Sequence, residues 1–210
     1  MNIFFLHRSA PICAQMHADI HVVKMILESA QLLATAHHHH GNPVTYKPTH
    51  ANHPCAVWVR QSRLHYMFLV NLATALCREY RLRFGKTHKC EEYIYGELAL
   101  PPAALTVALW SDPPCAMPDE FKTGDVVESY QRYYASKNDK MLMRWFRGDR
   151  LPPVWFTVNV NEIEHAKKEV ACEKAGRLAF PSGCTLKKRE KTAKINVRFS
   201  QWFNAKLKKI

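Results

Sequence analysis

The sequence predicts an all-α, mainly helical fold: a single compact domain with two long helices, a proline-rich wrapping loop and a basic C-terminal extension. Three observations predict it. Residues 12–35 space their polar side chains at helical intervals on an otherwise apolar stretch. A second helix-period stretch opens at His53-Pro54 and runs to Arg83, where Gly85 stops it. The chain has 210 residues, 47% hydrophobic and 11% aromatic, which suits one well-filled core and is too short for two large domains. Pro152-Pro153 divides residues 1–150, the main domain, from residues 151–210, a helical, basic extension.

The elements follow in order. Met1-Asn2-Ile3-Phe4-Phe5-Leu6 is apolar but is broken by His7, Arg8 and Pro11, so it reads as a buried N-terminal strand and not as a secretory signal. The first helix covers about Ile12 to Thr35, and His37-His38-His39-His40-Gly41-Asn42-Pro43 reads as a solvated loop that ends it. In the second helix, Arg60, Arg63, Asn71, Thr74, Arg78 and Arg81 form a basic, polar side, and Val57, Leu64, Phe68, Leu72 and Leu76 a core face. From Glu91 to Pro118 prolines at 101, 102, 113, 114 and 118 predict a short helix or strand followed by a wrapping loop. Asp125 caps a third helix from Val126 to about Lys137, and Lys140 to Phe146 continues as a further turn or helix. Asn159 to Lys174 reads as a charged amphipathic helix ended by Gly176.

Formal net charge is +12. Such an excess favours a polyanionic partner, because Lys and Arg release counterions condensed on phosphates. Residues from Thr185 to Ile210 carry nine basic side chains against Glu190, with Phe199, Trp202 and Phe203 interleaved. That tail reads equally as a grip on a phosphate backbone or as an amphipathic helix closing the core. No segment approaches the roughly 20 apolar residues of a membrane span. Seven scattered cysteines without a Cys-x-x-Cys pair point to reduced thiols in a cytoplasmic protein. Neither cysteine nor histidine spacing implies a metal or other cofactor, although His17 and His21 at i, i+4 leave a metal site open.

The first helix carries the chemistry. His17, His21, Lys24, Glu28, Gln31 and Thr35 fall within a strip roughly 80° wide at ~100° per residue. Its flanks include Ile20, Val22, Val23, Met25, Ile26, Leu27, Ala30, Leu32 and Leu33. Imidazole, ammonium and carboxylate groups one or two turns apart in a partly desolvated cleft suit proton transfer. The catalytic candidates are therefore Glu28 as base or electrostatic stabiliser, Lys24 as phosphate cation or amine nucleophile, and His21 and His17 as orienting or protonating groups. The competing reading is an ordinary helix edge with Lys24 and Glu28 as an i, i+4 pair.

Asp19-Ile20-His21-Val22-Val23 with Glu28 seven residues beyond the histidine, the second helix ending Arg81-Leu82-Arg83-Phe84-Gly85, Met117-Pro118-Asp119-Glu120-Phe121-Lys122, and Tyr130-Gln131-Arg132-Tyr133-Tyr134 occur in that order. Over about residues 1–137 this arrangement resembles the phage pyrimidine-dimer DNA glycosylases of the endonuclease V type. The resemblance implies a single-domain helical DNA repair enzyme in which Glu28 is catalytic, Arg132 contacts phosphate and Tyr133 or Tyr134 braces the site. Family members attack the sugar with the amine of an N-terminal threonine. Residue 2 here is Asn2, which disfavours methionine removal, so Met1 is expected to stay and the nucleophile to be the terminal amine or Lys24. Leu27 and Gln31 stand where the family has arginines.

The expected function is a monomeric, DNA-binding enzyme acting on an extruded pyrimidine in double-stranded DNA, as an N-glycosylase and AP-lyase. A transferase that hypermodifies a bacteriophage DNA base on the same scaffold, and a non-catalytic nucleic-acid-binding protein, are the alternatives. The nucleic-acid contacts expected are Gln31, Lys47, Arg60, Arg63, Arg132, Tyr133, Tyr134 and Lys137.

Overall fold

Pro11, near the start of α1 (Ala10–Met16), supplies the fixed φ that favours a first helical turn. The computed structural model describes residues 1–141 and 143–157. The helices that follow are α2 (Asp19–His39), α3 (Pro54–Val59), α4 (Arg63–Phe84), α5 (Glu91–Tyr95) and α6 (Val126–Ser136), with single 3-10 turns at Asp119–Phe121 and Lys137–Asp139. Among the described residues there is no strand, so the fold is all-α. None of these helices is long and apolar enough to cross a membrane.

Both long helices expected from periodicity are interrupted. The first breaks at His17 and Ala18, whose backbones are extended (ψ 136° and 155°). The buried Arg83 guanidinium fills the break, donating from Nη1 to the His17 carbonyl (2.7 Å) and Asp19 Oδ1 (3.1 Å), and from Nη2 to the Gln15 carbonyl (2.9 Å). Carbonyls left free at the end of α1 are thus satisfied by a side chain. The second helix breaks at Arg60-Gln61-Ser62, where Ser62 Oγ accepts the Leu64 amide (3.1 Å) as N-cap of α4. Leu64, expected in the core, lies in the first turn after this break and is 43% exposed.

Other punctuation holds. Gly85 ends α4 in the left-handed region (φ 64°), where glycine carries no steric penalty. Asp125 caps α6 through the Glu128 amide (2.9 Å). The helix or turn expected over 140–146 does not continue beyond the 3-10 turn. Trp145 is buried there, its Nε1 donating to the Met16 carbonyl (3.0 Å), and the Asp19 amide donates to the Arg144 carbonyl (2.8 Å). Tertiary anchoring at the α1–α2 break outweighs local helix propensity.

The N-terminal segment is buried as expected, but it is an unpaired extended thread and not a strand. Phe5 meets Phe68 of α4 (centroids 5.4 Å), while Phe4 meets His21 of α2 and Tyr134 of α6 (both 5.0 Å). The thread therefore runs through the core between three helices. Ile3, Phe4, Phe5 and Leu6 are each at most 6% exposed, and each buried side chain of this size contributes roughly 1.5–3 kcal/mol.

The histidine run is not a loop, because α2 continues through it. His37 is buried against the Tyr66 hydroxyl (2.8 Å), His38 Nε2 lies 3.0 Å from the Tyr46 carbonyl, and His40 Nε2 lies 3.2 Å from the Arg60 carbonyl. Each ring ties the helix end to a different segment. The described cysteines, Cys13, Cys55, Cys77, Cys90 and Cys115, are free thiols. The helix expected at 159–174 and the basic tail lie outside the described residues.

Candidate functional site

Glu28 is the centre of the site. It sits midway along α2, 8% exposed. Its Oε2 accepts the Asn2 backbone amide at 2.8 Å and lies 4.0 Å from the Met1 terminal amine, and its Oε1 lies 3.4 Å from Lys24 Nζ. One carboxylate thus has two amines and one amide around it. The Asn2 amide is a buried backbone donor that requires a partner, and a neutral amide oxygen would serve that need equally. The flanking amines are what make the carboxylate chemically distinctive.

Asn2 is held from four directions. Its Oδ1 accepts the Ile3 amide (2.8 Å) and the Cys55 thiol (3.6 Å), its Nδ2 donates to the Ala116 carbonyl (3.0 Å), and the Tyr130 hydroxyl lies 3.0 Å from Oδ1. The same hydroxyl is 2.6 Å from the Pro114 carbonyl, so its one proton is shared between two acceptors. Burial pushes the Tyr130 hydroxyl well above its ordinary range and the Cys55 thiol up to about 11, so both remain protonated donors. The N-terminal thread, α2, α3, α6 and the wrapping loop all converge on residue 2, which fixes its nitrogen beside Glu28.

The 47–53 loop, which ends at His53, forms the rim. Thr35 Oγ1 accepts the Thr49 amide (3.0 Å) and shares its one proton between the Gln31 (2.7 Å) and Thr49 (3.1 Å) carbonyls, tying residues 47–53 to the Gln31–Thr35 turn of α2. Arg60 donates to the Ala51 carbonyl. Partly exposed Gln31 and exposed Lys47 belong to these segments. His53, the N-cap of α3, lies in electrostatic range of both Glu28 and the terminal amine.

The predicted stripe is not one edge. His17 lies in the helix break and is fully buried, its Nδ1 2.7 Å from the Cys13 carbonyl and its Nε2 without a partner. His21 is 2% exposed, its Nδ1 2.8 Å from the Tyr134 hydroxyl, which also accepts the Ala18 amide (2.8 Å). The exposed edge of α2 is instead Ile20, Lys24 and Leu27. His17 and His21 therefore brace Tyr134 and the helix break instead of facing a substrate. They do not converge with another ligand, and no group of three metal-binding side chains occurs among the described residues.

Tyr134 is fully buried and has no surface to offer DNA; it positions His21. Tyr133 is half-buried, and Lys137 Nζ sits 4.0 Å from its ring centroid and 5.3 Å from that of Phe4. Arg132 is exposed and paired with Glu128 (2.8 Å), ~200° around α6 from Tyr130. It points away from the face that touches Asn2. Arg63 is exposed at the start of α4, its amide on the Thr106 carbonyl. Thus Gln31 lies one turn from Glu28 on α2, Lys47 and Arg60 belong to segments tied to the C-terminal half of that helix, and Arg63, Arg132, Tyr133 and Lys137 lie elsewhere.

Sequence reasoning did not select Asn2, Tyr130, Cys55 or His53 as site residues. The one available signal was His53 beside Pro54 at a helix start. An open cavity of about 570 Å³, lined by Tyr46, Thr87, His88, Lys89, Cys90, Glu92 and Tyr93, is separate from this constellation. No family model, curated protein or solved structure matches the chain.

The buried histidines make stability pH-dependent. Burial lowers His17 to about 4 and His21 to about 3, the latter further depressed by His17, Lys137 and Lys24. The unfolded chain, with histidines near 6.5, binds protons more readily between these values, so the contribution is complete above pH 6.5 and is lost as pH falls towards 4. Urea denaturation is expected to give a clearly lower stability at pH 5 than at pH 7, and His17→Gln to flatten that difference.

Proposed function

We propose that this protein is a DNA-binding enzyme acting on an extruded pyrimidine in duplex DNA, as an N-glycosylase with associated lyase chemistry. The observation that carries the reading is the buried Glu28 carboxylate with the Asn2 backbone nitrogen at 2.8 Å, the terminal amine at 4.0 Å and Lys24 Nζ at 3.4 Å. An amine beside a carboxylate, both partly withdrawn from water, is a nucleophile paired with a group that stabilises positive charge.

In this reading the ammonium first gives a proton to Glu28, the resulting amine attacks the sugar C1′, the bond from C1′ to the pyrimidine N1 breaks, and the base leaves with the bonding electron pair. The attached nitrogen then loses a proton, the bond from C1′ to the ring oxygen breaks as that oxygen takes a proton from Glu28, and an imine results. Glu28 stabilises the cationic sugar and takes up the amine proton. The terminal amine is better preorganised than Lys24, because the Met1 side chain is 3% exposed beside the clamped Asn2, whereas the Lys24 side chain is 61% exposed. Removal of Met1 would leave the Asn2 nitrogen itself as the amine, already at hydrogen-bond distance from Glu28. The net charge of +12 supports DNA as the partner.

Borohydride reduction during incubation with duplexes carrying pyrimidine lesions tests the reading. The expected result is a covalent adduct that peptide mapping locates at the N-terminal residue. Release of base without an adduct would remove the imine route. Alteration of the base without release would favour the transferase, and binding without either would leave a non-catalytic DNA-binding protein.

A further inference from the structure

The rim of the site contains an imidazole whose role is limited by its own hydrogen bond. His53 is the residue immediately before α3, and its Nδ1 accepts the Cys55 amide at 3.1 Å, capping that helix. A ring nitrogen that accepts a backbone N–H carries no proton, so the neutral ring holds its proton on Nε2. Among the described residues no hydrogen-bond partner meets Nε2. The ring is neither buried nor fully exposed, and Cys55, two residues on, touches the side chain of Asn2.

We propose that His53 is a further catalytic residue of this site, a neutral donor whose Nε2–H hydrogen-bonds the departing pyrimidine through its carbonyl oxygen. This deepens the glycosylase reading and rests on it. As the C1′–N1 bond breaks, negative charge develops on the base and spreads to its carbonyl oxygens; a fixed N–H stabilises that charge without transferring its proton. The ring cannot act as a base at Nε2, because that nitrogen already holds the proton. Gaining a second proton would break the helix cap, which excludes the imidazolium as the resting form.

The electrostatic surroundings agree. Partial burial lowers the His53 pKa, and the terminal amine and His50 lower it further, while Glu28 opposes them. These are the charged and titratable groups that act on the ring from the N-terminal thread, the 47–53 loop and α2. The result is an imidazole that stays neutral where an ordinary histidine is half charged.

Two substitutions separate the two ring nitrogens. His53→Asn keeps an acceptor for the Cys55 amide but lacks the distal donor, whereas His53→Gln retains a distal N–H and gives up the cap. The expected result is that His53→Asn folds and binds duplex like the parent yet releases base about 10²-fold more slowly, and that His53→Gln recovers part of the rate with a lower melting temperature. Nitrogen-15 NMR of the histidine rings, needing no turnover, is expected to show His53 protonated at Nε2 at pH 7, with that nitrogen's signal shifting when an abasic duplex and free pyrimidine are added. Unchanged turnover in His53→Asn, a proton on Nδ1, or an Nε2 signal indifferent to the pyrimidine would each overturn the proposal. Absence of base release by the parent protein would instead remove the glycosylase reading, and an Nε2 response to the base would then still identify His53 as a pyrimidine contact.

Discussion

Glu28→Gln is expected to lower base release by about 10³-fold or more while leaving duplex binding equal or tighter. On the proposed glycosylase mechanism, the magnitude follows from removing the charge that stabilises the cationic sugar and accepts the amine proton, each a contribution of about 10²–10⁴-fold in comparable settings. Folding should survive, because the glutamine oxygen can still accept the Asn2 amide that Glu28 Oε2 accepts now. Binding should not weaken, since a carboxylate near a phosphate backbone opposes association. Single-turnover kinetics together with fluorescence anisotropy on the same lesion-bearing duplex separate the two effects. A variant that keeps its turnover would reduce Glu28 to a partner for a buried backbone amide.

The largest effect on stability is expected from Arg83→Met, which should cost about 3–5 kcal/mol. Arg83 is buried, and its guanidinium bonds Glu79 (3.0 Å) and Asp19 (3.1 Å) together with the carbonyls of Gln15 and His17. Methionine fills much of the same volume but strands two carboxylates and two carbonyls. Arg150 also pairs with Glu79 and should absorb part of the loss. Glu79→Gln in the same background is expected to recover some stability by removing one stranded charge. Guanidinium denaturation measures both; a change below 1 kcal/mol for Arg83→Met would mean that packing, and not the ion network, holds the α1–α2 break.

The functional consequence of that break links the two predictions. His17 and Ala18 adopt extended backbone, and α2 begins afresh at Asp19. Glu28 therefore takes its direction from a helix anchored by Arg83 and by the Tyr134–Ala18 bond. If the protein acts as proposed, loosening either anchor should lower base release as well as stability, because a carboxylate displaced by ~1 Å loses its alignment with the amine.

Glu28 stood out in the sequence as the one acid within a strip of basic and polar groups on an apolar helix, and the structure buries it beside the Met1 and Lys24 amines. The roles of its neighbours were not legible there. A period of 3.6 residues places His17, His21 and Glu28 on one face only if the helix is continuous, and the Arg83 contacts that interrupt it come from 66 residues away along the chain. Arg132 and Tyr134 share a short motif, yet α6 turns the first to solvent and the second into the core.

Local chemistry was sufficient for the all-α class, the Asp125 cap, the Gly85 stop and the burial of Ile3 to Leu6, because each depends on neighbours a few residues apart or on side-chain polarity alone. Only the tertiary structure decided that Asn2 meets Glu28, Cys55, Ala116 and Tyr130, and that His53 stands at the same rim. Those contacts join residues 26 to 128 positions apart, and the position of an extended thread within a core is set by the packing of every helix around it, which no local periodicity encodes.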